Sequence, residues 1–251
     1  MVERDSAVLS ARTRLRVEAF VVLAAAVVTW FVVAPRLGHV GLWPAIAIVA
    51  AGVMPATLAL VLLALPLAGR RWQELVVAAL ALLLVAFGCS QAGWHVPENF
   101  AKLAAYVFVG WAFLRLFEQL SWVVLVAVII PVVDAISVWR GPTHQITTHH
   151  FDVYTGVAVA FVAPGGGAAD LGPPDILFYG LFLAAAVRFR LRPFWTWLGM
   201  TGMYSFTIVL TNLISVSGLP ALPFLSFGFL AANADLLWAR LRKPRDAQTD
   251  A

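Results

Sequence analysis

Two aspartates stand out because of the residues around them. Asp134 lies in the run Val128-Ile129-Ile130-Pro131-Val132-Val133-Asp134-Ala135-Ile136-Ser137-Val138-Trp139, about five residues and ~8 Å of helix from its outer end. A short side chain at that depth does not reach lipid headgroups, and an ionisable group at the centre of a membrane helix costs at least ~2.5 to 3.5 kcal/mol, which makes it a functional candidate. Asp175 opens the next apolar run directly after Gly172-Pro173-Pro174. Only about 13 residues separate it from Arg188, so a helix here spans only if it starts below the surface, which brings Asp175 to a similar depth. Two carboxyls that meet in a low-dielectric site share one proton and titrate together. One can then take a proton from water while the other donates to a carbonyl. Asp175, near a helix start, is expected to hold the charge, and Asp134, in apolar surroundings, to hold the proton.

Leu219-Pro220-Ala221-Leu222-Pro223 is a third element expected in the same leaflet. Its prolines remove two amide donors and disfavour regular helix before Pro223, leaving carbonyls free. Such backbone is tolerated at membrane depth only where protein buries it or water reaches it. The other polar residues read more simply. Glu18, Glu74, Glu98 and Glu118 fall at helix ends and reach the interface, and Asp235, with Asn233, sits close to Arg240 as a structural pair. His144, His149, His150 and Asp152 fit no metal-binding spacing. Gly156, Gly165, Gly166 and Gly167 precede no helix of the phosphate-binding kind. The single cysteine, Cys89, is a packing residue. No metal and no cofactor is expected.

The elements that must position these residues are apolar throughout. Of 251 residues, 62% are hydrophobic and 12% charged, and the mean hydropathy is +0.89, which excludes a soluble globular domain. The apolar residues form about eight blocks of ~16 to 23, near the ~20 a helix needs to cross a bilayer. They are Val17 to Ala34, Trp43 to Leu65, Trp72 to Gln91, Phe100 to Phe117, Trp122 to Trp139, Asp175 to Leu191, Trp195 to Val216 and Ala221 to Trp238. The first is too long for a signal-peptide core and reads as a span. The expected fold is an all-α, polytopic bundle of about eight transmembrane helices in one domain, 1–251. Helices over 17–117 precede the aspartate-bearing part, 122–238, which contains a loop over 140–174. Within that loop, Phe151 to Ala163 alternates β-branched and aromatic residues and could form a strand or dip into the membrane, and Pro164 to Ala169 is a Gly-rich turn.

Basic residues set the orientation. Arg12, Arg14 and Arg16, Arg70 and Arg71, Arg115, Arg188, Arg190 and Arg192, and Arg240, Arg242, Lys243 and Arg245 mark alternate loops, so both termini are expected in the cytoplasm and the 140–174 loop outside. Arg36, Lys102 and Arg140 are the minority on the outer side. The net charge of +4 therefore reports topology, with no nucleic-acid partner expected. Arg outnumbers Lys, as in GC-rich bacteria, and a bacterial plasma membrane is the expected location.

Asp134 on one helix, Gly172-Pro173-Pro174-Asp175 followed by Phe178-Tyr179, and Pro220-Ala221-Leu222-Pro223, in that order, resemble presenilin and signal peptide peptidase, the intramembrane aspartyl proteases. The resemblance runs from about Val132 to Trp238. It implies a presenilin-like C-terminal half, a catalytic dyad of Asp134 and Asp175, and an active site shaped by Gly172, Pro220, Ala221, Leu222 and Pro223. It also implies transmembrane-helix substrates, with cytoplasmic N-termini if the loop faces outward as in signal peptide peptidase. The chain departs from the family in Val133, where Tyr is usual, in Pro174, where Gly is usual, and in having about eight spans for nine. Two other readings of the same residues are a homologue that binds membrane helices without cutting them, and a transporter or channel in which Asp134 carries a proton or cation.

Overall fold

Long stretches of Leu, Val and Ala that cannot hydrogen-bond to lipid close their backbone bonds within the segment, and helix is the way a single segment does so. In the computed structural model, which describes residues 2–140, 151–214, 216 and 219–241, the chain is mostly helical (82%). The helices are α1 (Val2–Val33), α2 (Leu42–Ile48), α3 (Met54–Ala64), α4 (Trp72–Gln91), α5 (His95–Phe113), α6 (Leu120–Arg140), α7 (Phe151–Val157), α8 (Pro173–Arg188), α9 (Pro193–Leu213) and α10 (Leu222–Leu241). A π-helical turn, Val49–Val53, joins α2 to α3 into one rod, and the Ser205 hydroxyl donates to the Ala50 carbonyl there (2.5 Å).

Each of the eight apolar blocks falls on a helix, but five are long and apolar enough to cross a membrane: Thr13–Arg36, Leu42–Gly69, Trp72–Gln91, Leu120–Ser137 and Leu222–Arg240. Of the remaining three, α5 and α8 are largely buried, while α9 buries Thr196, Met200, Thr201, Tyr204 and Thr207 and exposes Phe194, Trp195, Leu198, Phe206 and Leu213. Helix α8 has 16 residues, and Tyr179 and Gly180 through Ala186 are all buried. Apolar on every side, it is enclosed by other helices instead of lipid. It packs on α5, α9 and α10, while α6 leans on α10 and touches α8 at the edge of the bundle. Close approach of α5 and α8 depends on two glycines: a Cβ at Gly110 would lie 2.2 Å from the Leu177 carbonyl oxygen, and one at Gly180 would lie 3.1 Å from the Val107 oxygen.

The bundle is not purely α-helical. Strand β1 (Val159–Val162) pairs antiparallel with β2 (Ala168–Leu171), in the register Val159↔Leu171 and Ala160↔Asp170. The alternation over Phe151 to Ala163 thus yields strand only in its last part, while the first part is α7. The Gly-rich stretch is the hairpin turn, where Gly165 and Gly166 have φ of +82° and +92°, values that strongly favour glycine. The Gly165 amide donates to the Ala34 carbonyl (3.0 Å), tying the turn to the end of α1. His144, His149 and His150, and beyond α10 Arg242, Lys243 and Arg245, lie outside the described residues.

Candidate functional site

Asp134 sits on the partly buried side of α6, with Val132, Val133 and Ile136 exposed on the other side. Its Oδ2 accepts a hydrogen bond from the Leu222 amide (3.1 Å). Leu222 begins α10, and the first amides of a helix have no acceptor within it. Prolines 220 and 223 have no amide to offer, so Ala221 and Leu222 supply the only backbone donors between them. The Pro-Ala-Leu-Pro element therefore contributes a backbone donor to Asp134. The Ala221 carbonyl already accepts from the Leu225 amide in the first turn of α10 (3.0 Å). Pro220, Ala221 and Leu222 are buried and Pro223 is half-buried.

Asp175 is held in the same way from the neighbouring helix. Its Oδ2 accepts from the Gly172 amide (2.9 Å), while its own amide donates to the Gly172 carbonyl (3.1 Å). A Cβ on Gly172 would stand 3.3 Å from that Oδ2 and 3.9 Å from Cε2 of Tyr154, so the small residue leaves room for the carboxylate between the loop and α7. The Asp175 carbonyl accepts from the Tyr204 hydroxyl (2.9 Å). Tyr204 stacks on Tyr179 with ring centroids 6.0 Å apart, and Tyr179 shares a hydrogen bond with Thr201 (2.9 Å).

The two carboxyls, from α6 and α8, come close enough for their charges to act on one another. Both charges, together with that of Asp170, reach the Tyr154 phenol, which burial and these three carboxylates hold above its ordinary range. Each aspartate accepts a hydrogen bond from a backbone amide at the start of a helix.

The hairpin beside the aspartates is clasped by one face of α5. Asn99 takes both outward groups of Ala160, donating to its carbonyl (3.0 Å) and accepting from its amide (2.8 Å). Lys102 donates to Glu98 (3.0 Å) and to the Gly156 carbonyl (3.1 Å). Tyr106 donates to the Val157 carbonyl (2.8 Å), and from α1 the Trp30 indole donates to the Val162 carbonyl (2.9 Å). Glu98 and Lys102 are thus a buried pair, not interfacial charges as their positions suggest, because the hairpin covers them. Asp170, opposite Ala160, is raised by burial above the ordinary carboxylate value, against the opposing pull of Lys102. At the far end of α8, Asp235 pairs with Arg192 (2.7 Å) and not with Arg240, which donates to the Phe189 and Arg190 carbonyls. Among the described residues no three His, Cys, Asp or Glu side chains gather as metal ligands.

Sequence reasoning overlooked Tyr154, Tyr204, Asn99 and Asp170. A usable signal was present. The chain has four tyrosines against 17 phenylalanines, and each tyrosine hydroxyl that replaces a bare ring needs a polar partner when buried. All four lie at the aspartates or at the foot of the hairpin. No protein-family model, no curated protein and no solved structure matches the chain.

Proposed function

We propose that the chain is an intramembrane aspartyl protease of the presenilin and signal peptide peptidase kind, with Asp134 and Asp175 as its catalytic dyad. The observation that carries the reading is the convergence of two carboxyls from separate helices, each fixed through Oδ2 by a backbone amide. In the reaction, one carboxylate takes a proton from water as the water oxygen bonds to the scissile carbonyl carbon. The other, protonated, donates to the carbonyl oxygen. The resulting diol collapses as the C–N bond breaks: the leaving nitrogen takes the first carboxyl's proton, the second carboxylate takes one diol hydroxyl's proton, and the dyad returns to its starting state without a cofactor. Gly172, Pro220, Ala221, Leu222 and Pro223 shape the site by orienting the two acceptors.

A substrate helix must open before its carbonyl can react, and adding it as a strand satisfies the freed backbone. Asn99 and Trp30 occupy the outer edge of β1, so the Phe151 to Ala163 segment is a poor partner. The outer edge of Ala168–Leu171, which runs into Gly172 and Asp175, is the better one. The full topology in this reading has about eight spans, both termini in the cytoplasm of a bacterium, and transmembrane substrates whose N-termini are cytoplasmic.

A second reading, a homologue that binds helices without cutting, is favoured by the capping itself, since both carboxylates have a structural task. The side chains separate the two. Asparagine keeps the acceptor oxygen of a cap but cannot ionise. Purified protein in lipid is given single-span reporter helices in both orientations, as wild type, Asp134→Asn, Asp175→Asn and the two alanine variants. The protease reading expects each asparagine variant to fold like wild type and to lose cleavage by about 100-fold or more. Cleavage that persists in either asparagine variant overturns the dyad. Binding without cleavage by every form supports the second reading, and proton or cation flux abolished by Asp134→Asn alone supports transport.

A further inference from the structure

Two of the three basic residues that fall on the side opposite the Arg-rich loops, Arg36 and Lys102, line one cavity of about 530 Å3. Positively charged residues are scarce on that side of membrane proteins, so their convergence calls for a physical reason. The cavity lies beside the hairpin, between the end of α1, the start of α5 and β1. Its walls are fixed: the Trp30 indole holds Val162, Asn99 holds Ala160, and the Gly165 amide holds Ala34. Its volume falls in the range of about 300 to 1,000 Å3 typical of small-molecule sites.

The lining is divided into a charged end and an apolar flank. At the charged end, Glu98 is bracketed by Lys102 at 3.0 Å and His95 at 3.6 Å, so its charge is matched within the cavity. Arg36 is exposed, and its guanidinium has no hydrogen bond or ion pair among the described residues. One uncompensated cation therefore remains. The flank consists of Phe31, Val32 and Pro35, and Val32 with Val28, one turn earlier, continues an exposed apolar strip along α1. Helix α1 is one of the five membrane-crossing candidates, and its span ends at Arg36. Trp43 and Trp94, both exposed beside this end of the bundle, fit the belt where aromatic residues meet headgroups.

We propose that this cavity binds the phosphate of an anionic phospholipid in the hairpin-side leaflet, with Arg36 as the principal contact and an acyl chain along Val32 and Val28. A planar guanidinium pairs with phosphate oxygens through two parallel hydrogen bonds. Protein–lipid specificity then follows from the net charge of the headgroup, because a zwitterionic lipid brings a cation that Arg36 repels.

The test uses the full chain in nanodiscs of phosphatidylcholine with phosphatidylglycerol, extracted gently and weighed by native mass spectrometry. Wild type is expected to keep one phosphatidylglycerol, preferred over phosphatidylcholine by roughly tenfold, the scale of a charge-assisted hydrogen bond. Arg36→Gln should abolish the preference, Arg36→Lys should keep part of it, and Arg70→Gln, in an exposed pair with Glu74, should leave it unchanged. Cooperative thermal unfolding of the Arg36 variants, measured in phosphatidylcholine alone, matches wild type and certifies that they fold, as expected for an exposed residue. Equal retention of the two lipids by wild type, or an unchanged preference in Arg36→Gln, overturns the proposal. Displacement of the lipid by excess inorganic phosphate overturns the lipid as ligand and assigns the cavity to free anions.

Discussion

Gly110→Ala gives a quantitative test of how the Asp175 helix is positioned. The added methyl would lie 2.2 Å from the Leu177 carbonyl oxygen and 3.0 Å from the Leu181 amide nitrogen, where ordinary contact begins near 3.4 Å. Both neighbours are backbone, so no rotamer change relieves the clash, and α5 and α8 must part by about 1 Å. Overpacking of this kind costs about 1 to 3 kcal/mol, out of a total stability of about 5 to 15 kcal/mol, so the protein stays folded. Leu177 is half a turn from Asp175, and a helix displaced as a body carries the carboxyl with it. Misplacing a reacting group by about 1 Å costs roughly 100-fold in rate. The assay pairs thermal unfolding with initial cleavage rates on the reporter that wild type cuts best. Gly88→Ala and Gly202→Ala are the controls, since nothing stands within 4 Å of a Cβ at either position. They should gain about 0.5 to 1 kcal/mol from reduced backbone freedom and cut normally. Gly110→Ala with wild-type stability refutes the close approach of the two helices. A rate that falls only in proportion to the folded fraction refutes the positioning argument and leaves the packing intact.

Two further predictions concern the hairpin. Asp170 binds its proton more tightly folded than unfolded, because burial outweighs Lys102; stability is therefore lost as pH rises through its folded value, and the loss is absent below the unfolded value near 3.8. Asp170→Asn should accordingly unfold at a higher temperature than wild type at pH 7 and at the same temperature below about pH 3.8, and a constant difference across pH would refute the titration. Lys102→Met strands the buried Glu98 charge and should cost about 3 to 5 kcal/mol by chemical denaturation. Adding Glu98→Gln should recover most of that loss, and a double variant as unstable as the single would show that the pair is not coupled.

The aspartates and the Pro-Ala-Leu-Pro element were legible because each is a rare chemical event in an apolar run, and position along the run fixes depth. Their partners were not. Whether a proline pair acts through lost donors or through the donor left between them depends on what faces it, and that is Asp134, far away in sequence. Asn99, Lys102 and Tyr106 follow helical spacing, but the backbone they hold belongs to a hairpin whose alternation was diluted by α7. Apolar blocks do not by themselves count spans: five of the eight fall on helices long and apolar enough to cross a membrane. Apolarity records the absence of water, and a helix walled by helices, as α8 is, carries the same composition as one walled by lipid.

The shortness of α8 ties these features together. Sixteen residues rise ~24 Å, about 6 Å less than the ~30 Å hydrocarbon core. Helices α8 and α5 have their C-terminal ends together, since Arg188 donates to the Leu114 carbonyl (2.7 Å). The shortfall therefore falls at the other end, where Asp175 begins the helix and α5 continues past it. The overhanging residues of α5 are the ones that carry Glu98, Asn99 and Lys102, and the hairpin fills the space beside them. Non-helical backbone survives at membrane depth only when protein groups satisfy it, and the side chains of α5 and α1 do so for β1. The short central helix, the polar face on its neighbour and the hairpin in the gap are thus one arrangement, each element satisfying the backbone the others leave open.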